Sequence, residues 1–143
     1  MLVSGVGTSG ERDDMAKAID HNVQPLEKWR DGVMTRMRVS ALSGGHQLCI
    51  FEQYCDSGLG APMHIHAVEE VLEVIAGTAE IAVGDDKLIV TANQSVLIPA
   101  GKRHGFKNVA AGILHVRATL AASIFEGAYD DKSETSRRWS PQE

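Results

Sequence analysis

The chain has 143 residues and a mass of 15.4 kDa, which is room for one domain. It is 43% hydrophobic and 23% charged, with a formal charge of −5 and a pI near 5.6. That acidity argues against phosphate-backbone binding, because nucleic-acid modules concentrate Lys and Arg. No apolar run approaches the ~20 residues that span a bilayer. The N-terminus lacks the basic and long apolar segments of a signal peptide. The reading is therefore a cytoplasmic protein that engages neither nucleic acid nor membrane.

Residues 1–32 read as an N-terminal arm. Its Gly/Ser-rich start (1–12) is expected to be mobile, and Met15, Ala16, Ala18 and Ile19 suit a short helix or a docked segment. From 33 to 120 the texture changes to short apolar or alternating runs. These are Met34–Ser40, Gln47–Tyr54, Met63–His66, Val71–Ile75, Ala79–Val83, Leu88–Val90, Ser95–Ile98, His104–Lys107 and Ile113–Leu120. Turn signals separate them, among them Gly44-Gly45, Gly77, Gly84-Asp85-Asp86, Ala92-Asn93 and Pro99-Ala100-Gly101. Strands of that length and spacing predict an all-β sandwich or barrel. Residues 121–143 form a C-terminal extension, with a short helix expected over Ala121–Tyr129 and a polar tail. Trp139 should pack rather than stand in water, since a solvated indole wastes its burial. Cys49 and Cys55 would share a strand face about 20 Å apart at ~3.3 Å per residue, too far to bond, and read as reduced, packed thiols.

Three of the six histidines fall into a pattern. His64 and His66 are two apart, so on an extended strand both imidazoles address one point. Glu70 follows with even parity, either on the same face or, if the chain turns, from an adjoining strand. His104 opens another strand after Pro99-Ala100-Gly101-Lys102-Arg103. Three imidazoles and a carboxylate make a mixed N/O metal site, and such a set is costly to bury unless paired or coordinated. A lone strand histidine, by contrast, is usually an ordinary core or surface residue.

Residues 58–77 run Gly58, five residues, His64, one, His66, three, Glu70, six, Gly77. Residues 99–108 run Pro99, one, Gly101, two, His104, three, Asn108. The two stretches resemble the first and second motifs of the cupin superfamily, and each has a chance probability on the order of 10⁻⁴. One departure is Asn93, where the second motif expects glycine; Asn tolerates left-handed backbone. The resemblance covers roughly residues 33–120. It implies a small jelly-roll β-barrel of two antiparallel sheets, in a single-domain member. It also implies one divalent transition metal (iron, manganese, nickel, copper or zinc) held by His64, His66, Glu70 and His104. An octahedral ion would keep open positions, the pattern of catalytic centres.

Parity with Glu70 and His104 places Leu72, Val74 and Phe106 at the pocket. His115 and Arg117 face in or out depending on where the 108–112 turn closes. His21 and His46 read as surface residues, and Asn108 should tie its amide to a turn. The first functional reading is a metal-dependent, dioxygenase-like oxidoreductase acting on a small organic molecule, with Glu70 also a candidate base if displaced. The alternatives are an isomerase or decarboxylase on the same site, or a non-enzymatic small-molecule binder. Outward apolar residues such as Val71 and Ile75 suggest a homodimer, with Phe125, Tyr129 and Trp139 available to pack across its interface.

Overall fold

The computed structural model describes residues 16–132, 134 and 136–141, so the Gly/Ser-rich start and Met15 lie outside the described residues. The chain folds into two facing antiparallel sheets. In chain order the strands are β1 (Glu27–Arg30), β2 (Val33–Val39), β3 (Cys49–Cys55), β4 (Gly60–Ile65), β5 (Glu70–Ala76), β6 (Thr78–Val83), β7 (Asp86–Thr91), β8 (Gln94–Ile98), β9 (His104–Asn108), β10 (Leu114–Leu120), β11 (Phe125–Glu126), β12 (Ala128–Tyr129) and β13 (Arg137–Arg138). One sheet runs β1-β2-β3-β10-β5-β8 and the other β12-β4-β9-β6-β7, with β11 and β13 paired beside them. This is the all-β sandwich or barrel expected from strand spacing, in the jelly-roll form that the resemblance implies.

Two segments depart from expectation. The sheet starts before residue 33: β1 pairs Glu27 with Thr35 and Lys28 with Met34. Among the described residues before it, a 3₁₀ turn forms at His21–Val23, capped by Asp20. The helix expected over Ala121–Tyr129 does not form. Phe125–Glu126 and Ala128–Tyr129 are instead short strands, Phe125 opposite Arg138 and Tyr129 opposite His64. Local helix propensity loses to the burial of Phe125 and Tyr129, which are 2% and 7% exposed.

The core lies between the sheets, filled by alternate residues such as Val33, Leu72, Val74, Ile81, Leu114 and Val116. At one end it becomes aromatic. Trp29 stacks on Phe51 at 5.4 Å and meets Phe125 and Trp139 edge-on at 5.0 and 5.7 Å. The Arg138 guanidinium covers the outer Trp29 face at 3.8 Å. Phe125, Tyr129 and Trp139 thus pack within their own barrel. Cys49 and Cys55 are free and buried, and burial pushes both thiols up to about 12.

Asn108 closes the β9 end. Its amide donates to the Cys55 and Gly112 carbonyls at 3.0 and 2.7 Å, and its side-chain oxygen accepts from Ala110 N–H. Asn93 takes up φ = +69°, the left-handed backbone its turn requires.

On the outer face of the larger sheet, Glu52 is nearly buried. It accepts from Arg36 and Arg38 at 3.0 and 2.9 Å and lies 2.7 Å from His115 Nε2. His115 stacks on Tyr54, and Arg117 pairs with Glu73. The turn at 108–112 therefore sends His115 and Arg117 outward, away from the barrel interior.

Candidate metal centre

His64 lies in β4 and His66 just beyond its end, so the His-x-His alternation of an extended strand turns both rings inward. The chain then turns, and Glu70 opens β5 in the opposite sheet. His104 opens β9 directly opposite His64. The four residues are 5% exposed or less. One ligand atom from each lies within 4.8 Å of the others, so the cluster could hold a metal ion.

Each ring is fixed by its far nitrogen. Nδ1 of His64, His66 and His104 meets the backbone carbonyls of Pro62, Glu126 and Lys102 at 2.6, 2.7 and 2.8 Å. A carbonyl only accepts, so each Nδ1 carries the proton and each Nε2 presents a lone pair. These Nε2 atoms converge beside Glu70. His104 Nε2 is 2.9 Å from Glu70 Oε1 and His66 Nε2 is 3.4 Å from it. Neither contact has hydrogen-bond geometry, and His66 Nε2, His104 Nε2 and Glu70 Oε1 remain buried without a partner. Unpartnered ligand atoms this close together in a buried site fit a cation of N/O preference.

Electrostatics act differently on the rings. Burial, reinforced by His104, lowers His64 to about 4, so its ring is neutral at pH 7. Burial opposes charge on His66, but the Glu70 carboxylate outweighs it and holds that ring above its ordinary value. Burial alone would raise Glu70; His104 and His66 bring it down to about 2, so it is ionised.

The cavity beside the cluster has a free volume of about 20 Å³, room for one water-sized molecule. Leu72 and Phe106 line it, as parity indicated, while Val74 is fully buried in the core and does not. Arg30, Phe51, Gln53 and Tyr129 also line it; the sequence leaves open whether Cys49, Phe51 and Gln53 or Ile50, Glu52 and Tyr54 face inward, and it does not point to Arg30 or Tyr129. Gln53 and Phe51 share the inward parity of Cys49 and Cys55, a signal that became readable only once one of them was known to be buried. Arg30 and Tyr129 belong to segments taken for an arm and a helix.

The architecture defines a double-sheet barrel with a buried three-histidine, one-glutamate cluster. The Cupin domain family matches residues 52–119, a stretch that holds all four residues. Over that stretch, a little under half of its length, the chain matches the cupin superfamily. It is 46% identical over 50 residues to the xanthan biosynthesis protein XanB of Xanthomonas campestris, covering 35% of this chain and 10% of that protein. The chain thus spans about a tenth of the curated relatives it matches. Among solved structures it is similar to the polyketide cyclase RemF of Streptomyces resistomycificus (TM-score 0.68, 16% identity, 81% of this chain and 86% of that one). It is also similar to the oxalate decarboxylase of Lactobacillus farciminis in its formate complex (TM-score 0.70, 14% identity, 78% and 35%). At these identities the two structures establish the fold alone.

Proposed function

We propose that His64, His66 and His104, through Nε2, and Glu70, through a carboxylate oxygen, bind one divalent transition metal, and that the protein is a dioxygenase-like oxidoreductase acting on a small organic molecule. The observation that carries this is a cluster of four ligand atoms within 4.8 Å of one another, three of which (His66 Nε2, His104 Nε2 and Glu70 Oε1) are buried and unpartnered, with each histidine Nδ1 held on a backbone carbonyl. When bound, the cation supplies Lewis acidity and, as iron, manganese or copper, one-electron redox chemistry.

The chain's own groups do the rest. Phe51, Leu72, Phe106, Val116 and Phe125 make a mostly apolar wall that excludes water from the reacting atoms. Glu70, if released from the cation, is a base able to take a substrate proton. It is the one carboxylate lining the cavity among the described residues. A decarboxylase would need a second acid to protonate the product, which makes oxidation the better reading of this wall.

The protein is further read as a homodimer in the cytoplasm. Val71 and Leu97, paired across β5 and β8 on the outer face, are 37% and 60% exposed, and apolar pairs of this kind favour a covered sheet. Light scattering that gives a monomer at micromolar concentration overturns the dimer.

The test of function is reconstitution with ferrous iron followed by oxygen-uptake assays on enols, catechols and thiols. Substrate-dependent uptake that disappears together with bound metal in His104→Ala supports the reading. Uptake unchanged in His104→Ala refutes it.

A further inference from the structure

A second cleft, separate from the histidine cluster, opens where the 3₁₀ turn at Ala41–Ser43 meets the loop after β10 and the segment around β13. It has a free volume of about 630 Å³, within the range of small-molecule sites, and shares no lining residue with the cavity beside Glu70. Its walls come from separate stretches of chain that are tied together. Ala41 N–H donates to the Ser123 carbonyl at 2.7 Å, and Gly45 N–H closes the turn on the Ser40 carbonyl at 2.9 Å. Ser140, in the wall, is 5% exposed.

The charge of this cleft is one-sided. Lys17, His46 and Arg137 line it, and among the described residues no carboxylate does, in a chain whose net charge is −5. The Lys17 ammonium lies against the left-handed turn at Gly44, where φ is +96° and an added Cβ would come within 2.7 Å of Nζ, so the bare glycine makes room for it. Lys17 and His46 have no hydrogen-bond or ion-pair partner among the described residues. Arg137 reaches Glu126 at 3.7 Å, but the two side chains are 51% and 67% exposed, a surface pair that a competing anion can displace.

Two permanent cations on one cleft match a phosphate monoester, which carries about −1.5 to −2 at neutral pH, better than the single charge of a carboxylate. A bare phosphate would leave most of the volume empty. Leu42, Ile124 and Pro141 supply an apolar wall on which an organic body can rest. We propose that this cleft binds a small molecule carrying a phosphate monoester, with Lys17 and Arg137 as its charge partners and the apolar wall receiving its body. The site is independent of the metal-centre reading, since the two cavities have no residue in common.

The experiment is calorimetry on the full chain with phenyl phosphate as the probe and phenol and inorganic phosphate as controls. The protein is first stripped of cations with a chelator, so that phosphate bound at the histidine cluster does not contribute. Phenyl phosphate should bind saturably, inorganic phosphate more weakly, and phenol not at all. Lys17→Met and Arg137→Met should each weaken phenyl phosphate by about fivefold, the worth of one exposed charge contact. Lys87→Met, which removes an exposed lysine of β7 outside the cleft, should change nothing. As a second measurement, phenyl phosphate should slow reductive methylation of Lys17 in the natural chain, read by mass spectrometry. Absence of saturable binding overturns the proposal, as do phenol binding as tightly as phenyl phosphate, a loss in Lys87→Met equal to that in Lys17→Met, and methylation of Lys17 at an unchanged rate. Inorganic phosphate binding as tightly as phenyl phosphate overturns the organic body assigned to the ligand.

Discussion

His66 donates its Nδ1 proton to the carbonyl of Glu126, a residue 60 positions further along the chain, at 2.7 Å. That bond makes the short C-terminal strands part of the candidate metal centre. Beside it, a Cβ added at Gly127 would sit 3.2 Å from His66 Cε1 and 3.3 Å from the Phe125 ring. Gly127→Val therefore pushes on the His66 ring from a residue that touches no cation. We expect metal affinity to fall roughly 10–100-fold, the usual cost of disturbing a ligand's supporting hydrogen bond. A competition titration with a chromophoric chelator, at matched circular dichroism, checks it.

His104→Ala and Glu70→Gln should each strip the cation, leaving well under one equivalent by elemental analysis. Because a ligand that binds only the folded state stabilises it, metal at about a hundred times its Kd should add ~2.7 kcal/mol to the natural protein. For a domain of this size that corresponds to a rise of roughly 10 °C in Tm. Neither variant should show that rise in a calorimetric scan with added metal.

Glu52 gives a pH prediction away from the cluster. Burial acts to raise its pKa, but hydrogen bonds from Arg36, His115 and Arg38 outweigh it and bring the carboxyl down to about 2 from an ordinary 4.5. A depressed carboxylate contributes stability that is complete above its unfolded value and lost as the folded group protonates. Stability should thus fall as pH drops from about 4.5 toward 2. Glu52→Gln should flatten that part of the curve and cost about 1–3 kcal/mol at pH 7, since Arg36 and Arg38 would lose their shared counter-charge. Urea titrations at intervals across this range measure both.

The Asn108 side chain is 1% exposed as a residue and makes three hydrogen bonds to backbone groups of two turns. Asn108→Leu, which keeps the branching but replaces both polar ends by methyls, strands the Cys55 and Gly112 carbonyls and the Ala110 N–H. The expected loss is about 2–4 kcal/mol, read from the urea midpoint, with metal stoichiometry unchanged.

Strand positions were legible because turn residues punctuate them, and the histidine pattern because period-two alternation tells which side chains share a face. Asn93 could be read through its departure from glycine, since its side chain is one of the few that tolerate φ = +69°. What could not be read is settled by pairing between distant strands. Whether Gln53 or Glu52 faced the cavity depended on β3 meeting both β2 and β10 in register, and the outward turn of His115 followed from the same pairing. Phe125 and Tyr129 sit in a stretch whose local composition suits a helix. Their true conformation is imposed by Trp29, Phe51 and His64, residues more than sixty positions away. Arg30 was invisible for a related reason: a cation in an apparent tail looks like surface charge until the tail becomes an edge strand.

Glu70 belongs to one sheet, and His64 and His104 to the other. An ion clasped by all of them would act as a rivet through the sandwich. The two layers could not slide or part without breaking a coordination bond, so mechanical opening of the barrel and release of the ion become a single event.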